Sequence, residues 1–209
     1  SSADVDFRLR PDSVAVDPHK WLYSPVESGC ALVRDPQKLL DAFTYHPPYY
    51  HFDKETTNFV DYGMQNSRGF RALKVWLALK QAGRDGYRRM INEDIELAKY
   101  MYQLLDRHDN FQVYKQNLSI VTFRYVPNDS GSVLTDDYLN RLNEELLMRL
   151  ENCGELFVSK AIVDGRFLLR ACIVNFRTRA SDIEAMPDII ARYGKELDSE
   201  LRREFEKTD

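Results

Sequence analysis

The sequence predicts an α/β protein that ends in a small α+β domain. Two short runs rich in β-branched and small apolar residues come first, and they are typical of strands. Two long segments with apolar residues at helical spacing follow. From residue 111 onward, strand-like runs alternate with amphipathic helices, which is the pattern of an antiparallel sheet covered by helices.

The N-terminal part opens with the two strands. Residues 12–17 form a β-branched run that stops at Pro18, and residues 28–34 form a second run of the same kind; we expect both to be buried. Residues 36–43 begin with proline, which suits the first position of a helix. In residues 44–66 the apolar residues follow neither the helical nor the strand spacing, but the segment is rich in aromatic residues. A loop of this length in a compact domain is usually functional.

Two helices are predicted next, at 68–82 and from about 86 to 107, separated by Gly83 as a helix stop. In the C-terminal part, residues 164 and 165 (Asp-Gly) predict a hairpin turn. Ser181 and Glu184 predict a capping box at the start of the last helix. Strands are predicted at 111–115, 119–126, 156–163 and 166–176, a loop at 128–131, and a helix at about 135–150 striped by Leu139, Leu142, Leu146 and Leu150.

Composition narrows the class of protein. The chain has 209 residues and a net charge of −4 with both signs scattered, so nucleic acid is not an expected partner. It has neither a long apolar run nor a leader, so we expect no membrane span and a cytoplasmic location. Three distant cysteines predict neither a disulfide framework nor a metal site. Cys30 and Cys172 lie within apolar runs, where we expect small buried side chains.

The pentapeptide Asp17-Pro18-His19-Lys20-Trp21 carries the most chemistry. A lysine just after a strand-ending proline sits on a short, stiff turn. Its amine can project into a cleft and act as a Schiff-base nucleophile. From spacing alone, a surface lysine beside a core tryptophan is the favoured interpretation.

The same pentapeptide closely resembles the lysine motif of the group II pyridoxal-phosphate (PLP) decarboxylases. The resemblance extends, in order, over residues 13–34, 42–52, 65–76 and 167–176, and so covers nearly the whole chain. It implies a fold-type I PLP-dependent transferase fold. It divides the chain into the C-terminal part of the large PLP domain (1–80), a linking helix (81–110) and a small α+β C-terminal domain (111–209).

The resemblance also implies roles for single residues. Lys20 would bond the cofactor covalently, and His19 would lie near it. Asp17 stands where some relatives have a phosphate-binding asparagine, although a carboxylate there would repel a phosphate. Tyr49 matches the loop tyrosine that relatives use after carbon dioxide is lost, with Tyr50 as the adjacent rival.

Asn66 and Ser67 match a segment that lines the substrate site of the neighbouring subunit in relatives, although turn or cap duty explains them equally well. The aspartate that relatives pair with the pyridine nitrogen would precede this sequence. We therefore expect an N-terminal segment or companion chain to supply it, and the 209 residues alone to be inactive.

The activity implied is decarboxylation of an L-amino acid, with an aromatic one preferred, by a homodimer. One alternative is a decarboxylase of glutamate or another amino acid, or an aldehyde-forming relative. Tyrosine at position 49 speaks against aldehyde formation, because such relatives tend to carry phenylalanine there. A second alternative, of another class, is a non-catalytic dimerisation module.

Overall fold

The chain forms two compact units, Ser1–Arg84 and Asp85–Asp209. The computed structural model describes residues 10–51, 56–128 and 134–205. Most of the predicted loop at 128–131 lies outside the described residues, as does the start of the chain up to residue 9.

The first unit contains an antiparallel ribbon and a short helix. Strand β1 (Ser13–Val16) pairs with strand β2 (Cys30–Val33). Helix α1 (Pro36–Phe43) has proline in its first turn, as predicted, and the Asp35 side chain accepts a hydrogen bond from the backbone N–H of Gln37. A 3₁₀ helix (Phe59–Tyr62) follows within the long loop.

Both strands form where they were predicted, but the prediction that they are buried is wrong. Val14 is 42% exposed and Leu32 is 58% exposed. Side chains of this two-stranded sheet point alternately to its two faces, and neither strand contains a fully buried residue. Cys30, at the first position of β2, is exposed as well.

Helix α2 (Arg71–Asp106) contains the predicted interruption at Gly83. Gly83 has φ 64° and ψ 177°, a conformation that glycine adopts without a steric penalty, so the helical path breaks there as expected. The boundary between the two units follows directly, between Arg84 and Asp85. The helix begins three residues later than predicted, at Arg71 rather than at residue 68.

The second unit has a four-stranded antiparallel sheet in the order β3-β4-β6-β5. Asp164 and Gly165 both have positive φ, 50° and 75°, so the predicted hairpin turn is confirmed. The strands are β3 (Phe111–Asn117), β4 (Ile120–Tyr125), β5 (Ser159–Val163) and β6 (Arg166–Cys172), and the helices are α3 (Asp136–Cys153) and α4 (Ala180–Phe205).

The core of this unit lies between the sheet and its helices. The predicted leucine stripe of α3 is buried, from Leu139 at 4% exposure to Leu150 at 0%. Asn143 on the same helix is also fully buried, and it hydrogen-bonds both the N–H and the carbonyl of Tyr125 at the end of β4. These paired bonds satisfy polar groups that would otherwise be buried without partners.

Two predictions for this unit are wrong. Cys172 is exposed, because it occupies the last position of β6 and the alternation of the strand directs it away from the core. The capping box does not form, because α4 begins at Ala180, before Ser181. The Asp182 side chain instead accepts from the N–H of Arg179, and Glu184 accepts from the hydroxyl of Tyr100.

No helix among the described residues is both long enough and apolar enough to cross a membrane.

Candidate active site

The lysine predicted to be catalytic lies on a closely hydrogen-bonded turn after β1. The N–H of Lys20 donates to the carbonyl of Asp17 at 3.0 Å, and the N–H of Ser24 donates to the carbonyl of Pro18 at 3.0 Å. Pro18 and Ser24 are buried, so the two ends of the turn are fixed. The sequence folds this way because proline cannot continue a strand ladder and favours a turn.

Lys20 and Asp17 form an ion pair on this turn. The Nζ of Lys20 lies 2.6 Å from the Oδ2 of Asp17, and the lysine side chain is 68% exposed. The hydrogen bond from Lys20, followed by its charge, lowers the pKa of Asp17 below the ordinary value. The pair therefore orients an accessible amine. The carboxylate of Asp17 is thus paired with a cation, whereas the sequence alone left the role of Asp17 open.

His19 points its ring at a buried part of the same segment. Its Nδ1 lies 2.5 Å from the carbonyl oxygen of Ser28, which is 2% exposed. The backbone N–H of Ser28 also lies 3.3 Å from the same Nδ1. Both contacts come from Ser28, so they fix the position of the imidazole ring beside Lys20.

Tyr49, the second predicted catalytic residue, occupies the tip of a turn. The N–H of Tyr50 donates to the carbonyl of Pro47 at 2.9 Å, which closes the turn with Pro48 and Tyr49 at its centre. Proline is favoured at the first central position of such turns. Tyr49 is 74% exposed, and its ring meets that of Tyr50 edge to face at 4.9 Å.

Side chains from later in the loop bind the residues on both sides of Tyr49. The Nε2 of His46 donates to the Oδ1 of Asp61 at 2.8 Å, and the side-chain amide of Asn66 donates to the hydroxyl of Tyr50. Sequence reasoning missed Asp61. Its only signal was an acidic residue followed by tyrosine in an aromatic loop, and that signal does not mark a buried carboxylate.

The two predicted substrate-lining residues differ in their surroundings. Both Asn66 and Ser67 are exposed, and the side-chain amide of Asn66 is engaged with Tyr50. Next to them, Arg71 at the start of α2 donates to Glu27 at 2.7 Å and to Gln65 at 3.2 Å. Arg71 therefore ties the segment that follows the lysine turn to the segment that follows the tyrosine loop.

This arrangement fits a cofactor that bonds an amine. Lys20 presents a highly exposed primary amine on a fixed turn. A primary amine is the nucleophile that an aldehyde cofactor requires. A metal ion would need a different set of donors. Among the residues that the structure describes, no cluster of three or more His, Cys, Asp or Glu side chains could hold one.

Comparison with known proteins gives consistent matches. The family profile described as "Pyridoxal-dependent decarboxylase conserved domain" matches residues 4–126. An aromatic-L-amino-acid decarboxylase of Bacillus atrophaeus is 36% identical over 180 residues, which cover 83% of this chain and 37% of that protein. Tryptophan decarboxylase 1 of Oryza sativa is 31% identical over 169 residues, which cover 78% of this chain and 33% of that protein.

Solved structures of decarboxylases also resemble this chain. The crystal structure of Oryza sativa TDC with PLP and tryptamine superposes with a TM-score of 0.80 at 28% identity, covering 89% of this chain and 39% of that one. Tryptophan decarboxylase of Catharanthus roseus in complex with L-tryptophan gives a TM-score of 0.73 at 27% identity, with the same coverages of 89% and 39%. The predicted fold class is thereby confirmed. The chain spans roughly a third of the length of the curated relatives it matches.

Proposed function

This chain belongs to the pyridoxal-dependent decarboxylase family, and from that premise we propose that it is the C-terminal part of an enzyme that decarboxylates an aromatic L-amino acid. The bond between Cα and the carboxylate carbon breaks, carbon dioxide leaves, and a proton replaces it to give the amine. The observation that carries the proposal is the exposed Lys20 amine, fixed on its turn and paired with Asp17.

Lys20, His19 and Asp17 would hold the cofactor end of the site. PLP, when bound, supplies an electron sink for the electron pair that the departing carboxylate leaves behind. Lys20 would bond the cofactor through its amine, which Asp17 orients through the ion pair at 2.6 Å. His19, whose Nδ1 lies 2.5 Å from the carbonyl oxygen of Ser28, would hold an imidazole ring in a fixed position beside the lysine.

Tyr49 would supply the proton that completes the amine. A phenol at the tip of a turn can deliver a proton to Cα, directly or through a water molecule, while the loop excludes solvent. Its 74% exposure leaves the ring accessible to a substrate. Asn66 and Ser67 would line the substrate site.

The rest of the enzyme would complete this site. We propose that residues 1–80 end the large cofactor-binding domain, that 81–110 form a linking helix, and that 111–209 form the small domain. An N-terminal segment or companion chain would supply the group that pairs with the pyridine nitrogen. The assembled enzyme would be a homodimer, as the sequence resemblance implies. The three separated cysteines of this chain would suit the reducing cytoplasm.

The preference for an aromatic substrate is supported by the similar proteins, which include tryptophan, tyrosine and aromatic-L-amino-acid decarboxylases. A phenylacetaldehyde synthase of a Rosa hybrid cultivar is also 29% identical over 170 residues, so aldehyde formation is the second candidate. That reaction consumes oxygen and water, and it releases carbon dioxide, ammonia and hydrogen peroxide with the aldehyde.

The test measures carbon dioxide, amine and aldehyde together in the full-length protein with PLP. We expect L-tryptophan or L-tyrosine to give equal amounts of carbon dioxide and amine, and L-glutamate to give neither. Tyr49→Phe should slow carbon dioxide release and shift the product toward aldehyde, with uptake of oxygen, because only the hydroxyl is lost. Tyr45→Phe is the matched control, since Tyr45 is a similarly exposed tyrosine of the same loop, at 77%.

Three outcomes would count against the proposal. Aldehyde from the parent protein would favour the second candidate. Absence of carbon dioxide with every amino acid would favour the dimerisation module. If Tyr49→Phe forms amine as cleanly as the parent, Tyr49 is a packing residue.

A further inference from the structure

We propose that the His46–Asp61 and Asn66–Tyr50 pairs are positioning pairs that hold the turn at 47–50 from both sides and so determine where the Tyr49 hydroxyl stands. The proposal rests on the proposed role of Tyr49. It assigns a purpose to Asp61, a buried carboxylate that takes no other part in the proposed reaction.

The residues on both sides of Tyr49 are held in place by hydrogen bonds, and the Tyr49 hydroxyl is the group to be positioned. Pro47 is buried, and Tyr50 closes the turn back onto it with a hydrogen bond of 2.9 Å. Within the part of the chain that the structure describes, the Tyr49 hydroxyl makes no hydrogen bond, whereas the side chains at 46 and 50 both do. The reacting group is thus placed by its neighbours and by the backbone between them.

The first pair is anchored on a fixed element. Asp61 is 8% exposed, and a carboxylate at that burial needs a donor to offset the loss of water. Its backbone is held in the 3₁₀ helix, where its N–H donates to the carbonyl of Asn58 at 3.0 Å. His46 supplies a donor to Asp61 at 2.8 Å while its own side chain is 44% exposed. The carboxylate is therefore the anchor, and the histidine is the part that the loop brings to it.

The second pair is anchored through the start of α2. Asn66, the donor to Tyr50, is adjacent to Gln65, which accepts from Arg71 at 3.2 Å. Arg71 also pairs with Glu27 at 2.7 Å. The tether on Tyr50 is thus continuous with the segment that follows the lysine turn.

Precise placement matters for proton delivery. A misplacement of about 1 Å at a reacting group can lower a rate about a hundredfold. A tyrosine that is present but displaced would protonate Cα slowly, and oxygen would then intercept more of the reacting species. Loosening either pair should therefore partly reproduce the product shift of Tyr49→Phe, although the phenol remains.

The first arm of the test measures local order without chemistry. Amide hydrogen exchange is followed over residues 44–51 in the full-length protein without substrate. His46→Phe and Tyr50→Phe each remove one hydrogen-bonding group and keep the ring, and each should speed exchange about fivefold, the factor expected for one net hydrogen bond. His51→Phe and Tyr45→Phe are the matched controls on the same loop, and they should leave exchange unchanged.

The second arm measures the ratio of aldehyde to amine. His46→Phe and Tyr50→Phe should raise it, and neither should raise it further in a Tyr49→Phe background, because both act through that hydroxyl. Asp61→Asn keeps an acceptor oxygen for His46, so its ratio should lie close to that of the parent. A loss of stability alone would not alter the product ratio in this pattern.

The two arms separate the possible failures. The positioning role would be overturned if amide exchange over residues 44–51 were unchanged in both His46→Phe and Tyr50→Phe. It would also be overturned if either change raised the aldehyde-to-amine ratio further in the Tyr49→Phe background. A parent protein that makes no amine would overturn the proposed function, and with it the catalytic purpose of the pairs. The exchange arm would still show whether the pairs order the turn.

Discussion

Replacing Gly194 by alanine should have two opposing effects on the free energy of unfolding, and the size of each is known approximately. Gly194 lies inside α4, where glycine is about 1 kcal/mol less favourable than alanine, so helix propensity alone predicts a more stable protein. An added Cβ, however, would lie 2.7 Å from the Cδ1 and Cε1 of Tyr125 and 2.8 Å from its Cγ. Carbon atoms pack at about 3.5–4.0 Å, so the ring or the helix would have to move.

The ring has little room to move. Tyr125 is 2% exposed, and its backbone N–H and carbonyl are both hydrogen-bonded to Asn143. Overpacking a well-filled core costs about 1–3 kcal/mol. Three ring atoms are approached at once, including the one attached to Cβ, so we expect the upper part of that range. The helix gain offsets about 1 kcal/mol, and the net loss of unfolding free energy should be about 2 kcal/mol.

Urea unfolding followed by circular dichroism measures this difference. Ser199→Ala, an exposed change on the same helix, is the control and should stay within about 0.5 kcal/mol of the parent. In a Tyr125→Ala background all three approached ring atoms, Cγ included, are gone, so Gly194→Ala should become neutral or stabilising. An increase in stability of about 1 kcal/mol from Gly194→Ala alone would refute the reasoning, since it would mean that the ring yields without cost.

Two further predictions concern the lysine turn. Borohydride reduction of the full-length protein with PLP, followed by peptide mapping, should label Lys20 and should fail in Lys20→Ala, whereas label on Lys38 or Lys160 would contradict the assignment. The pKa of Asp17 is lowered by Lys20, so Lys20→Met should raise it toward the ordinary value of about 3.9. Asp17 would then become protonated at higher pH than in the parent, and a carboxyl titration by NMR that does not change would contradict the ion pair.

Much of the second unit follows from short-range patterns. The leucine stripe of α3 and the Asp164-Gly165 hairpin each depend on residues that lie only a few positions apart in the sequence, and both form as predicted. Gly83 likewise marks a break that the local backbone requires. Periodicity and turn chemistry act over one or two turns of chain, so the sequence alone reveals them.

The candidate site was predictable in part. The pentapeptide indicated Lys20, and the family resemblance indicated Tyr49 in the loop at 44–66. The turn that carries Tyr49 was found only in the structure. The partner of Lys20 is three residues away, and the sequence had already singled it out as a group near the cofactor. The assignment of Lys20 and Tyr49 to catalysis remains a prediction that rests on the family resemblance.

The sequence by itself determined most of the helices, strands and turns of this protein, since each depends on residues close together in the chain. Only the tertiary structure decided which of them are covered and which side chains meet. Exposure of β1 and β2 depends on what packs against the two faces of the sheet, and the strand sequences do not specify that. The pairs His46–Asp61 and Glu27–Arg71 join residues 15 and 44 positions apart, and such distances become contacts only when the chain between them folds.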